Sequence, residues 1–303
     1  MRMNTTGKGH LMALFTIIVW GTTYISSKLL LADFHPVELL FFRMVLAVLA
    51  LLIVYPHRMK GTTFRKELYY AGAGLTGVTL YFLLENWALT YSFASNVGVI
   101  IAVAPMFTAI LARWVNKGEQ IRPMFYVGFV VSMVGIILIS FNGSQEFHLN
   151  PLGDFLALLA AVVWAIYSNL VKKIGNFGYH TIQNTRKIFL YGLIFLIPTL
   201  PFMEFRLDLK RFLNPVYAAN ILFLGLLASA LCFVTWNQAV KILGAVKTST
   251  YIYASPVVTV VTSMIILKEP LTTTAGIGVL LTMAGLVLSE LRKKEGNYAV
   301  QEE

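Results

Sequence analysis

The 303-residue chain reads as a succession of apolar runs of about twenty residues, separated by short polar connections. The runs fall at 10–31, 36–55, 68–90, 94–115, 123–141, 152–174, 180–202, 215–240, 246–267 and 272–291. At 1.5 Å per helical residue, about twenty residues cross a hydrocarbon core of ~30 Å. Each run therefore predicts one transmembrane helix, and no connection is long enough for a soluble domain. The expected fold is all-α and membrane-integral, with ten transmembrane helices.

The pattern is also duplicated. Asn86, Pro105, Glu119, Gly128 and Gly135 recur in the same order as Asn237, Pro256, Glu269, Gly278 and Gly285. The first two pairs lie 151 residues apart and the last three 150 apart, a difference that one loop insertion or deletion explains. Local wording agrees, "NWAL" with "NQAV" and "VGFVVSMVGIILIS" with "IGVLLTMAGLVLS". The first helix, "GHLMALFTIIVW" ending at Trp20, returns as "GDFLALLAAVVW" ending at Trp164. The chain thus divides into a first five-helix repeat (1–145), a second (146–292) and a short polar tail (293–303). Five is odd, so the second repeat enters the membrane from the opposite side, which makes the repeats inverted. Such a duplication in an apolar chain is the signature of a carrier built from two related halves.

Composition sharpens the class. Hydrophobic residues make up 57% of the chain and charged residues 13%, with a mean hydropathy of +0.72. A soluble chain would carry roughly a quarter charged residues. The net charge of +10 does not point to nucleic acid, because the basic residues cluster in short loops where they set orientation. With the N-terminus inside, sixteen lysines and arginines fall on the cytoplasmic side and four (Arg206, Lys210, Arg211 and Lys268) outside. Both termini are therefore expected in the cytoplasm, and the membrane to be the cytoplasmic one. Three of the four exceptions share the 203–214 loop, where Glu204 and Asp208 offset them in charge. The first apolar run is too long for a signal peptide, lacks a small-residue cleavage site and is echoed internally, so it is expected to be retained. The single cysteine, Cys232, excludes both a disulfide framework and a thiolate metal cluster.

Candidate chemistry lies inside the spans. Glu85 is the acidic residue well inside an apolar run, and such a carboxylate is costly enough to be a functional candidate. Arg43 on the second helix descends from the same face to a similar depth. Three roles are open to Glu85: an ion-pair or gating partner of Arg43, a binder of a substrate ammonium or coupling proton, or a group at the headgroup level. Trp20, Tyr24 and Lys28 follow at helical spacing on one face of the first helix, and Trp164, Ser168 and Lys172 repeat that face. The two tryptophans lie near mid-span, where they can line a cavity or pack the core. The lysines lie near span ends, where they snorkel. Asn86 and Asn237 either bond between helices or orient a substrate. Tyr81 lies one turn before Glu85, and Trp236 is the repeat partner of Glu85. On the ninth helix, Tyr251 and Ser255 belong to a polar stripe. The candidate binding set is thus Trp20, Tyr24, Tyr81, Glu85, Asn86, Trp164, Trp236, Asn237, Tyr251 and Ser255. Pro105 and Pro256 are expected to kink their spans at a wet centre. Gly128, Gly135, Gly278 and Gly285 let helices 5 and 10 pack closely, on one another or on a second subunit in a homodimer.

No enzyme motif is present. The five histidines lie at span ends or in loops, and there is no Gly-x-Ser-x-Gly elbow, no His-Glu-x-x-His and no Walker A loop. No metal site, cofactor or catalytic residue is expected. The rival to a carrier is a membrane-embedded enzyme or a structural membrane protein.

The "VWGTTYISSK" helix, the ten spans in two halves and the Glu-started last helix with spaced glycines in each half resemble the EamA family, the ten-helix branch of the drug/metabolite transporter superfamily. The resemblance covers nearly the whole chain. It implies a basket-like bundle in which helices 1, 3, 4, 6, 8 and 9 surround a central cavity. It further implies alternating access without ATP and, commonly, export of amino acids or other small metabolites.

Overall fold

The computed structural model describes residues 5–92, 94–115, 123–140, 150–266 and 272–290. Among the described residues, each of the ten apolar runs falls mainly on helical backbone, and no strand occurs. Six helices among the described residues are long and apolar enough to cross a membrane: Thr5–Leu30, Pro36–Val54, Val97–Val115, Pro151–Gly175, Thr181–Phe202 and Pro215–Leu243. Two shorter apolar helices, Pro123–Ile139 and Thr273–Ser289, accompany them. Large apolar side chains such as Ile53, Val130, Ile194 and Leu280 stand exposed on the outside of the bundle. The chain is a multi-pass membrane protein. The landmarks Glu119 and Glu269, Lys268 and the tail lie outside the described residues.

The helices start where the sequence supplies caps. Helix α1 (Thr5–Leu30) leads to α2 (Pro36–Val54), whose Pro36 sits where no backbone donor is needed. The Glu38 carboxylate accepts from the His35 backbone N–H at 2.8 Å. α3 (Phe64–Gly74) runs through a π-helical segment, Leu75–Leu80, into α4 (Tyr81–Tyr91). α5 (Ala94–Ile101) and α6 (Ala104–Val115) are one broken span, followed by α7 (Pro123–Ser140). Asn150 caps α8 (Pro151–Gly175), accepting from the Gly153 N–H at 3.1 Å. α9 (Thr181–Leu196) continues as a 3₁₀ turn to Phe202. α10 (Pro215–Leu222) passes through a π-helical segment, Phe223–Leu231, into α11 (Cys232–Leu243). α12 (Ala245–Ser249), a 3₁₀ segment (Thr250–Ala254) and α13 (Ser255–Ile266) form the second broken span, and α14 (Thr273–Glu290) ends the bundle.

The irregularities occur in matched places. Both π-helical segments fall at the same point of their repeats, and both broken spans stop just short of the repeated proline. Pro105 and Pro256 were expected to kink their spans. The spans are interrupted at these points, and each proline is the second residue of a restarted helix, α6 or α13, where a missing N–H costs no intrahelical bond.

Contacts follow the same duplication. A Cβ on Gly128 would lie 2.5 Å from the Gly285 carbonyl, and one on Gly135 2.6 Å from the Gly278 carbonyl. α7 and α14 therefore run antiparallel with their glycines interleaved. Ser132 Oγ donates to the carbonyl of its own repeat partner, Thr282, at 3.3 Å. The glycine faces of helices 5 and 10 thus meet each other within the chain. Elsewhere, Gly74 abuts the Ile188 carbonyl on α9, while Gly225 abuts the Arg43 carbonyl on α2. Exchanging the repeats turns one of these contacts into the other.

Polar clamps close the two ends of the bundle. At one end the Glu38 side chain, 2% exposed, takes Arg211 through two bonds of 2.9 and 3.0 Å and the Arg206 N–H at 2.8 Å. Arg211 also covers the Phe34 ring at 4.1 Å. The main partner of Arg211 is thus a carboxylate on α2, with Asp208 of its own loop at 4.0 Å. At the other end Arg186 donates to the carbonyls of Tyr55 (2.5 Å) and His57 (2.7 Å), closing the C-terminus of α2. Lys187 and Tyr191 donate to Glu67 at 2.5 and 2.6 Å. Glu67 precedes the third apolar run. Burial pushes its carboxyl up, but hydrogen bonds from Lys187, Thr62 and Tyr191 and the Lys187 charge outweigh this and hold it below the usual carboxylate range.

Candidate functional site

The middle of the bundle is aromatic. On α1, Trp20 meets Trp164 of α8 edge to face at 5.4 Å between ring centroids, with Phe233 at 5.4 Å and Trp236 at 5.1 Å. The Trp20 indole N–H donates to the Ala228 carbonyl at 2.9 Å, within the second π-helical segment. Carbonyls released by irregular helical turns accept such bonds readily, so the π-helical turn positions the ring. Phe82 and Phe233, equivalent residues of the two repeats, approach to 5.8 Å.

Beside these rings lies a cavity of about 50 Å³ lined by Trp20, Tyr24, Arg43, Tyr81, Glu85, Trp164 and Ser255, together with Ile17, Thr23, Phe82, Ile101, Phe233 and Ile252. Such a space admits a few waters, whereas small-molecule pockets run to hundreds of Å³. Ile101 stands at the break of the first interrupted span, and Ile252 and Ser255 at the break of the second.

Two opposite charges enter this apolar setting without touching. Arg43 is 2% exposed; its Nε donates to Ser229 Oγ at 3.0 Å and its guanidinium lies over the Phe82 ring at 4.1 Å. Glu85 accepts from the Tyr81 hydroxyl at 3.0 Å. Among the described residues no ion pair within 4.0 Å joins Arg43 to Glu85. The expected direct pair gives way because Ser229 and Phe82 draw the guanidinium aside, while Tyr81 holds the carboxylate along its own helix.

Four residues of the expected binding set lie outside the cavity lining. Asn86 is fully buried and donates to the Pro36 carbonyl at 3.3 Å, tying α4 to the start of α2. Asn237 accepts from Tyr167 at 2.7 Å and donates to Thr185 at 3.0 Å, joining α8, α9 and α11. The paired amides thus bond between helices. Trp236 is buried behind Trp20 and Trp164. Tyr251 instead shares a 2.5 Å hydrogen bond with His10 Nδ1.

Phe82, Phe233, Ile101 and Ile252 line the cavity without having been singled out from the sequence. A signal existed, since each pair is separated by 151 residues and so occupies matched positions.

An apolar helical bundle with a charged, aromatic centre at the meeting of two like halves defines the class: a multi-pass membrane protein with an internal polar site. A profile of the EamA-like transporter family matches residues 7–141 and again 151–291, so the chain belongs to that family and is a membrane transporter. It is 28% identical over 293 residues to an uncharacterized transporter of Archaeoglobus fulgidus, covering 95% of this chain and 99% of that one. It is also 28% identical over 279 residues to a probable terminal-alkyne amino-acid exporter of Streptantibioticus cattleyicolor, covering 91% of each. A solved crystal structure, 18% identical, superposes with a TM-score of 0.72 over 93% of this chain and 96% of that one, a likeness of fold alone.

Proposed function

We propose that the protein is a secondary-active carrier that exports amino acids or related small metabolites across the cytoplasmic membrane by alternating access. Ten spans in two inverted repeats would form it, with both termini in the cytoplasm. Support for inversion comes from α7 and α14, which run antiparallel and keep their contacts when the repeats are exchanged. The observation that carries the carrier reading is the cavity holding Arg43 and Glu85 between the repeats. Its contracted volume suits an occluded state that widens as one half rocks against the other. The exporter from Streptantibioticus cattleyicolor supports amino acids as the substrate class. A homodimer through helices 5 and 10 would use their outer faces, where Val130 and Leu280 are exposed. The test of transport is counterflow into proteoliposomes. Preloaded amino acid should draw labelled amino acid inward against its gradient, and absence of counterflow across a panel of amino acids and nucleosides would refute the carrier.

A further inference from the structure

The two charges in the cavity are each left with unused bonding capacity. Arg43 spends only Nε on the protein, so both terminal amino groups lack a hydrogen-bond partner among the described residues. Such a planar fork matches a carboxylate bidentately. Glu85 has one oxygen on Tyr81, and its other oxygen has no partner among the described residues. Trp164, 3% exposed and part of the lining, carries an indole N–H with no acceptor among the described residues. A buried donor left unpaired in this way costs free energy until something accepts from it.

The charges are also spaced for one small ligand. The guanidinium lies over Phe82, and Glu85 follows three residues later on the same helix face, about one turn or ~5 Å along the axis. Their repeat partners are uncharged: Ile188, whose carbonyl meets Gly74 as that of Arg43 meets Gly225, and Trp236, 151 residues after Glu85. One repeat therefore supplies the charges, while the rings of Trp20, Trp164 and Phe233 supply an apolar wall.

We infer that the cavity recognises a zwitterion, with the carboxylate on Arg43, the ammonium on Glu85 and the apolar remainder against the three rings. The inference rests on the carrier reading and deepens it. The Trp164 N–H is a further donor for the ligand's oxygen once the cavity widens. A ligand bearing one charge satisfies one residue and leaves the other buried beside a like charge, which excludes simple amines and simple acids.

The test takes the amino acid that gives the largest counterflow and compares it with its decarboxylated amine and its deaminated acid, for example phenylalanine, phenethylamine and 3-phenylpropionate. Binding to the purified wild-type protein is followed by tryptophan fluorescence. The zwitterion should bind about thirtyfold more tightly than either analogue, the usual scale for an unpaired buried charge. In Arg43→Gln the amine should bind as well as the amino acid, and in Glu85→Gln the acid should; Arg43→Lys should recover part of the preference. An amine or an acid that binds wild type as tightly as the zwitterion overturns the inference and leaves the carrier standing. So does counterflow of nucleosides but of no amino acid. Counterflow of neither refutes the carrier itself. The wild-type comparison decides the matter even if a variant fails to fold.

Discussion

Trp20 and Trp164 hold equivalent places in the two repeats, 144 residues apart in sequence, and their rings meet edge to face at 5.4 Å in the middle of the bundle. Each repeat thus offers the same aromatic residue to the same point. Around that point the repeats diverge: Trp20 is hydrogen-bonded to Ala228, whereas the Trp164 N–H has no acceptor among the described residues. Trp20→Phe removes the bond and keeps most of the ring, so stability should fall by about 1 kcal/mol. Trp20→Ala should cost about 3–5 kcal/mol through the void it leaves. Thermal unfolding in detergent distinguishes the two.

The α7–α14 contact leaves no room for side chains at its glycines. A Cβ on Gly135 would lie 2.5 Å from the Thr282 backbone nitrogen, and backbone cannot rotate away. Gly135→Leu and Gly285→Leu should each destabilise by about 3 kcal/mol or more, at or beyond the usual cost of overpacking. Val130→Leu, on the exposed face of the same helix, should leave unfolding unchanged.

Glu38, which is buried, and Arg211, which is partly exposed, form a pair that reaches from α2 to the 203–214 loop. Arg211→Met leaves the carboxylate buried without its main partner and should cost about 3 kcal/mol, whereas the double variant with Glu38→Gln should recover much of the loss. A double-mutant cycle by chemical unfolding measures the coupling, and a coupling near zero would contradict the pair.

Acid should loosen the opposite end of the bundle at Glu67. Because the folded-state carboxyl of Glu67 lies below its unfolded value, its contribution is complete above the unfolded pKa of about 4.3 and fades as pH falls through the folded one. Lys187→Met removes one cause of that depression, so the difference in melting temperature from wild type should shrink toward acid pH. Melting curves from pH 3 to 7 show this, and a difference independent of pH would dissociate Lys187 from Glu67.

Inversion is checked at equivalent loops. Lys60 and Lys210 are exposed and lie between the second and third helices of their respective repeats. With Cys232 replaced by serine, Lys60→Cys should react with an impermeant maleimide only from the cytoplasmic side, and Lys210→Cys only from outside. Reaction of both from one side would exclude the inverted arrangement.

The apolar runs determined which stretches are helical, because a backbone in hydrocarbon must satisfy its hydrogen bonds within its own segment. Duplicated landmarks likewise told where the spans are interrupted and that the glycines of helices 5 and 10 serve close packing, since those demands are local to a helix. Only the packed bundle decided that these glycines face one another within the chain. Arg43 and Glu85 were legible as unusual, because a charge within an apolar run is conspicuous in any alignment of residues. Their separation was not. Whether an arginine reaches a carboxylate or turns to Ser229 and Phe82 depends on residues about 40 and 186 positions away, which no local pattern couples. For the same reason Asn86 and Asn237 could be read as polar and buried, while only the packed helices decided that they bond Pro36, Tyr167 and Thr185 rather than line the cavity.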